Sequence, residues 1–143
     1  MTGSPVPYFK DANEVYEFLG QLLVDLCHDD ELGPKFNKAN TIVQYRYTDP
    51  DCTITVKMID GEIGRVEMGE ATLEPEVVLS MATDVAHKFW LGKVNVTVAL
   101  ARGQIEATGP VAKILKLVPL TKPVFPRYRQ MLIDKGRPDL AES

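Results

Sequence analysis

Four consecutive residues are of types that ligate metal ions: Cys27, His28, Asp29 and Asp30. They lie in a stretch of helical periodicity, where successive side chains point about 100° apart and do not converge on one ion. The sequence also has no second cysteine or histidine pair at the spacing that a tetrahedral zinc site requires. We therefore expect no metal site.

Cys52 and His87 are the residue types of a nucleophile and its base. Asp51 precedes Cys52 and raises the pKa of the thiol, which lowers its reactivity. His87 lies beside Lys88 within a predicted helix, and we expect it on the surface. Ser80 lacks the Gly-x-Ser-x-Gly context of a nucleophile elbow. We expect no catalytic residue, no cofactor and no enzymatic activity.

The chain has 143 residues, 45% apolar and 25% charged, which is the composition of a single globular domain over 1–143. We expect 1–10 to be a loose lead-in and 119–143 to be a proline-broken tail with a last helix. No apolar stretch is long enough for a membrane span, and the start lacks the pattern of a secretory signal. These features predict a cytoplasmic protein.

The first regular element is predicted as a helix over 11–29. Asp11 and Glu14 have the spacing of a capping box, and an apolar stripe from Val15 to Leu26 follows at helical spacing. Gly33-Pro34 is expected to end this region.

Period-two alternation begins at residue 41 and predicts an antiparallel sheet with one packed face. Val43, Tyr45 and Tyr47 share one face of the first strand, and Ile54, Val56 and Met58 share one face of the second. Asp60-Gly61 is a strong hairpin signal before a third strand within 62–68. A fourth strand is predicted over 76–81.

The second half alternates between predicted helices and short strands. A helix through Leu91, capped by Thr83 or Asp84, is expected to stop at Gly92. For 94–101 the valines fit a strand or a helical stripe, and periodicity alone favours the strand. The remaining predictions are a strand at 104–108 and helices at 110–118 and 126–136.

Charge is distributed unevenly along the chain. The net charge of −4 argues against a general nucleic-acid partner. Residues 110–138 nevertheless carry seven basic side chains and one acidic side chain. Such a segment fits contact with an anionic membrane or a ligand phosphate, and it also fits an ordinary solvated helix face.

Several motifs together resemble the sterol carrier protein type 2 domain family. They are Gly92-Lys93-Val94-Asn95, then Gly103-Gln104-Ile105, then Gly109, with Ile114, Leu115 and Leu117 after them. The resemblance covers roughly 11–118 and includes the Asp60-Gly61 hairpin. Pro110 departs from the family pattern, and 119–143 matches it least.

The resemblance implies an α+β fold in which helices cover one face of a five-stranded, mainly antiparallel sheet and enclose an elongated apolar cavity. It also makes 94–101 helical. The expected cavity-lining residues are Phe18, Leu22, Met81, Phe89, Trp90, Val94, Val98, Ile114, Leu117, Val118, Leu120, Phe125, Tyr128 and Met131. Residues 119–126 are predicted to form a lid over the cavity mouth. The expected membrane or head-group contacts are Lys122, Arg127 and Arg129.

Two functions follow as expectations. The first is a non-enzymatic carrier that binds one fatty acid, fatty acyl-CoA or sterol-like lipid and contacts anionic membranes transiently. The alternative is a scaffold or accessory module of the same fold that supports a lipid-modifying or isoprenoid-quinone pathway.

Overall fold

Five strands form one mixed sheet in the computed structural model, which describes residues 7–143. The strands are β1 Thr41–Thr48, β2 Cys52–Met58, β3 Arg65–Met68, β4 Val77–Ala82 and β5 Ile105–Thr108. Their spatial order is β3-β2-β1-β4-β5. Only the β1–β4 pair is parallel, so the expected mainly antiparallel sheet is confirmed. The third and fourth strands differ from the predicted bounds by one to three residues.

The two faces of the sheet differ in polarity. Val43 pairs with Val56 on one side and with Val77 on the other, and all three side chains are buried on the helix-covered face. On the opposite face Gln44 donates from Nε2 to the hydroxyl of Thr55 at 3.1 Å. The helix-covered face is therefore apolar and the opposite face more polar, although Gln44 and Thr55 are themselves buried. At both edges lie four-residue strands, β3 and β5.

Helical segments account for the rest of the regular structure. They are α1 Ala12–Val15, a π-helical stretch Tyr16–Gly20, α2 Gln21–Cys27, α3 Leu32–Asn37, α4 Thr83–Trp90, α5 Val96–Ala101, α6 Ala112–Leu115, a 3-10 helix Val118–Val124, α7 Phe125–Asp134 and α8 Pro138–Ala141. Within residues 7–143, none of these helices has the length and apolar character needed to cross a bilayer.

The predicted first helix is present from Ala12 to Cys27, with a π-helical stretch inside it. Asp11 accepts from the backbone N–H of Glu14 at 2.9 Å, as the capping box predicts. The prediction of a loose lead-in is wrong for Phe9, which is fully buried and stacks on Phe18 at 5.7 Å. The first six residues of that lead-in lie outside the described residues.

Gly33-Pro34 does not end the helical region, because α3 contains both residues. Just before this helix, Asp29 accepts from the N–H groups of Glu31 and Leu32, at 3.0 and 2.7 Å. Pro34 falls in the first turn, where its missing N–H leaves no hydrogen bond unmade. Proline at this position is compatible with a helix, although the sequence analysis expected Gly33-Pro34 to end the helical region.

Helix α4 ends at Gly92 as predicted, with Gly92 at φ +81°. Its predicted side-chain cap is absent. The Thr83 hydroxyl instead donates to the carbonyls of Thr48 and Pro50, at 3.0 and 3.1 Å, and joins α4 to the end of β1. Asp84 accepts from the N–H of Tyr8 at 3.0 Å.

Segment 94–101 contains a helix, as the resemblance implies and the period-two pattern does not. Asn95 caps α5 by accepting from the N–H of Val98 at 3.1 Å. Further on, the predicted helix over 110–118 shortens to α6, and the prolines at 119 and 123 are accommodated in the 3-10 helix. Helix α8 was not predicted.

Candidate binding pocket

A pocket lies between the buried face of the sheet and the helices of the second half. Strands β1, β4 and β5 form its floor, and α4, α5 and α6 with the turn before α6 form its walls. Its lining residues are Tyr45, Tyr47, Leu79, Met81, Ala86, Phe89, Trp90, Val96, Leu100, Ile105, Val111 and Leu115.

Local sequence explains how the floor is built. Alternation places Tyr45 and Tyr47 on one face of β1, and the parallel register sets them beside Leu79 and Met81 of β4. Ile105 pairs with Met81 across β4 and β5 and extends the same apolar surface. The floor therefore combines two tyrosine rings with aliphatic side chains.

Helix α4 supplies the rigid wall. Ala86, Phe89 and Trp90 lie three and four residues apart and so share one helical face. Phe89 meets the rings of Trp90 and Phe125 edge-on, at 5.0 and 6.0 Å between centroids. This aromatic cluster fixes the position of Phe89 at the pocket.

Helices α5 and α6 form a weaker wall. On α5, Val96 and Leu100 point to the pocket, Ala99 is the single fully buried residue, and Val98 is 41% exposed on the outer side. Helix α6 buries no residue fully, and Leu115, on the pocket wall, is 36% exposed. The pocket is thus closed toward solvent by the least anchored helices around it.

The enclosed volume is about 70 Å³. Pockets that hold drug-sized ligands typically measure roughly 300–1,000 Å³. The elongated cavity that the resemblance implies is therefore not open in this conformation. An acyl chain fits only if a wall moves outward.

The polar side-chain groups among the pocket-lining residues are the phenols of Tyr45 and Tyr47 and the indole N–H of Trp90. Burial raises the pKa of Tyr45 to about 12 and holds the pKa of Tyr47 well above its usual value. Both phenols are therefore neutral at physiological pH. The lining residues carry no charge.

Three of the residues expected to line the cavity lie on this pocket: Met81, Phe89 and Trp90. Phe18, Leu117 and Tyr128 are instead buried in the core, and Ile114, Val118, Leu120 and Phe125 are half-buried outside the lining. Leu22 and Met131 line a separate charged groove between α2 and α7. Val94 and Val98 line a groove on the outer side of α5.

Apart from Met81 on β4, sequence reasoning missed the strand side of the pocket. The signal was available, because the alternation already placed Tyr45 and Tyr47 on the packed face. Leu79 and Ile105 follow from the same alternation. The walls contributed by Val96, Leu100, Val111 and Leu115 required the tertiary arrangement of α5 and α6.

The expected head-group residues lie on the surface away from the pocket lining. Arg127 pairs with Asp29 at 2.5 Å, and Arg129 pairs with Glu142. Lys122 is exposed. Residues 119–126 bury Thr121 and Val124 and do not line the pocket. Contact with an anionic membrane stays a prediction.

His87 is fully buried, so the expectation that it lies on the surface is wrong. Its Nε2 lies 3.2 Å from the carbonyl of Leu140 and 2.7 Å from the hydroxyl of Ser143, and its Nδ1 lies 2.7 Å from the hydroxyl of Tyr128. A carbonyl only accepts, so Nε2 carries the proton and Tyr128 donates to Nδ1. Burial lowers the pKa of His87 to about 4.

Cys52 and His87 are not hydrogen-bonded to each other. His87 has the partners just described, and the thiol of Cys52 lies 3.7 Å from the carbonyl of Pro50. Burial, with a smaller contribution from Asp51, raises the pKa of Cys52 to about 11. The predicted direction of that shift is confirmed. A protonated thiol is a poor nucleophile.

Solved structures of sterol carrier protein 2 domains resemble this fold. The sterol carrier protein domain 2 of Helicoverpa armigera matches with a TM-score of 0.64 and 18% identity, over 87% of this chain and 96% of that chain. Palmitated SCP2L2 from Aedes aegypti matches with a TM-score of 0.54 and 19% identity, over 76% and 94%. A ubiquinone synthesis protein, UbiJ-SCP2, matches with a TM-score of 0.55 and 13% identity, over 76% and 96%.

No protein-family model matches the sequence, and no curated protein matches it either. The structural likeness thus stands on the arrangement of elements, since identities are below one residue in five. It fits the five-stranded mixed sheet and the helices packed against it. The chain therefore has the fold of the sterol carrier protein 2 domains.

Proposed function

We propose that this protein is a non-enzymatic carrier that binds one lipid molecule, of acyl or sterol-like shape, between the sheet and helices α4, α5 and α6. The observation that carries the proposal is the apolar pocket at this place in a sterol carrier protein 2 fold. A solved structure of the same fold is described as palmitated, which supports an acyl chain as one class of ligand.

Opening of the pocket is energetically accessible. A buried chain of about fifteen methylenes gains about 12 kcal/mol, at roughly 0.8 kcal/mol for each. Association and ordering cost roughly 4–15 kcal/mol, so at the low end of that range about 8 kcal/mol remains, which gives micromolar binding when opening costs almost nothing. Helices α5 and α6 fully bury one residue between them, and segments with so few buried contacts open most readily.

No polar catalytic group is required for such a carrier. The pocket lining offers two neutral phenols, and both cysteine thiols are held protonated by burial. This chemistry supports binding and offers no activated nucleophile. We further propose that the carrier works in the cytoplasm.

Helix α5 provides a matched pair of variants for the test. Leu100→Trp places a larger ring in the pocket, whereas Val98→Trp places the same ring on the exposed side of the same helix. We expect Leu100→Trp to weaken binding of a fluorescent fatty acid at least tenfold and Val98→Trp to leave it unchanged. If Leu100→Trp lowers the melting temperature without changing binding, the residues form an ordinary core.

An accessory role in a pathway is the second candidate. The likeness to a ubiquinone synthesis protein and the small closed volume of the pocket favour it. Native mass spectrometry of the freshly purified protein separates the two candidates. A carrier retains a lipid in one-to-one ratio, whereas an accessory module is lipid-free and does not take up lipid from vesicles.

A further inference from the structure

Two tyrosines, Tyr45 and Tyr47, are among the residues that line the pocket. The rings of Tyr45 and Tyr47 stack at 15° with centroids 5.9 Å apart, and Tyr47 is only 4% exposed. Within residues 7–143 neither hydroxyl is hydrogen-bonded to another residue, and neither oxygen is sealed from open space. Because both oxygens are accessible and unused within the chain, an oxygen of a bound molecule that displaces water from them is a natural acceptor.

The surroundings restrict which oxygen is accepted. Nine of the other ten lining residues have no N–H or O–H group, Trp90 adds one indole N–H, and the lining includes no lysine, arginine, histidine or acidic side chain. A carboxylate or phosphate buried here would lose its hydration without gaining a counter-charge. A neutral oxygen that accepts from a phenol has no such cost.

We propose that Tyr45 and Tyr47 form a recognition site for a neutral lipid oxygen, a hydroxyl or a ketone-type carbonyl, at the end of the ligand that enters the pocket first. The proposal rests on the lipid-carrier function and adds selectivity to it. A sterol-like alcohol and a quinone-like carbonyl share this chemistry. A fatty acid is then a weaker ligand, or binds with its carboxylate outside.

Four ligands of matched chain length test the proposal: hexadecanol, the corresponding methyl ketone, hexadecane and palmitate. Each is presented on a cyclodextrin carrier, and the amount that partitions into the protein is read by mass spectrometry. The variants are Tyr45→Phe, Tyr47→Phe and the double variant, which retain both rings. Tyr16→Phe, outside the pocket lining, is the control.

We expect the wild type to prefer the alcohol or the ketone to hexadecane by about tenfold, as one or two hydrogen bonds supply. The double variant should lose this preference while its affinity for hexadecane stays the same. Tyr16→Phe should behave as the wild type. Alcohol and ketone are separate measurements, so a preference for one of them identifies the oxygen that the site accepts.

Three results would overturn the proposal. Equal binding of alcohol, ketone and hexadecane by the wild type means that the phenols recognise nothing. An unchanged preference in the double variant places the recognition elsewhere. Palmitate binding that exceeds alcohol binding and falls in the double variant means that the site accepts an anion. If none of the four ligands enters the protein, the lipid-carrier function itself fails.

Discussion

Acid is expected to destabilise the protein through His87. The folded protein buries this imidazole in its neutral form and holds its pKa near 4, whereas the unfolded chain protonates it at the ordinary value of 6.5. As the pH falls below 6.5, His87 binds a proton in the unfolded state but stays unprotonated in the folded state. Stability is therefore lost between about pH 6.5 and pH 4.

The size of the effect follows from the shift. Each pKa unit corresponds to about 1.4 kcal/mol, so the loss relative to pH 7 is about 2 kcal/mol at pH 5 and about 3 kcal/mol at pH 4. This loss is a large share of the free energy of unfolding of an ordinary domain, which is roughly 5–15 kcal/mol. Burial is the main cause, and the charges of Lys93, Lys88 and Arg137 add to it.

Urea unfolding at pH 7, 6, 5 and 4 measures this loss directly. Trp90 is the single tryptophan and is buried, so its fluorescence reports the transition. His87→Gln removes the titrating group, and His28→Gln alters the other histidine, which is exposed. The free energy of unfolding should fall by about 2 kcal/mol more between pH 7 and pH 5 in the wild type and His28→Gln than in His87→Gln.

The comparison of slopes keeps the test valid when His87→Gln is less stable at every pH. Acidic groups contribute equally to all three proteins, so they cancel in the difference. If the free energy of unfolding of the wild type and of His87→Gln falls equally between pH 7 and pH 5, the conclusion that His87 is buried in its neutral form is refuted.

Two further predictions concern a glycine and the thiols. Gly109 has φ +86°, and an added Cβ would lie 2.1 Å from the Glu76 carbonyl oxygen, so Gly109→Ala should destabilise by about 3 kcal/mol or more in urea unfolding. Gly103→Ala, at φ +75° with nothing within 4 Å, should cost only about 1 kcal/mol, and equal losses would contradict the steric argument. Because burial raises the pKa of both Cys27 and Cys52 to about 11, alkylation by iodoacetamide at pH 8 should be about a hundredfold slower in native protein than in urea. Similar rates in the two states would show that the thiols are not buried.

Local patterns were sufficient to locate the strands and their packed face, although not the parallel pairing of β1 with β4. The alternation of Val43, Tyr45 and Tyr47 determines which face is packed, and the register with β2 and β4 preserves it. The first helix was equally predictable, since its cap and its apolar stripe lie within a few residues of each other. These features depend on neighbours in the chain.

Features that depend on distant contacts were not predictable. His87 has Lys88 as its neighbour, yet Tyr128 and Leu140, 41 and 53 residues away, enclose it. Two other misreadings were local. The valines of 94–101 alternate as in a strand, but Asn95 caps a helix there by accepting from the N–H of Val98, three residues further on. Pro34 was interpreted as a helix breaker because its place within the first turn of α3 was not known.

An apolar pocket between the sheet and the helices was expected, but only some of its lining residues were predicted. Apolar residues of the second half were expected around it, and Met81, Phe89 and Trp90 are there. The proline-rich segment after Leu117 was expected to cover it, but that segment packs elsewhere. Which of several apolar stripes meets which face of the sheet depends on packing between distant residues, and local patterns in the sequence do not show it.

The short edge strands lower the tendency of the protein to aggregate. An exposed strand edge offers unpaired N–H and C=O groups, on which other chains can add strands and aggregate. Here each edge is only four residues long and carries charge, with Arg65 and Glu67 on β3 and Glu106 on β5. Such edges are poor templates for strand addition. The protein can therefore loosen its apolar pocket wall without also offering a long, uncharged strand on which aggregation begins.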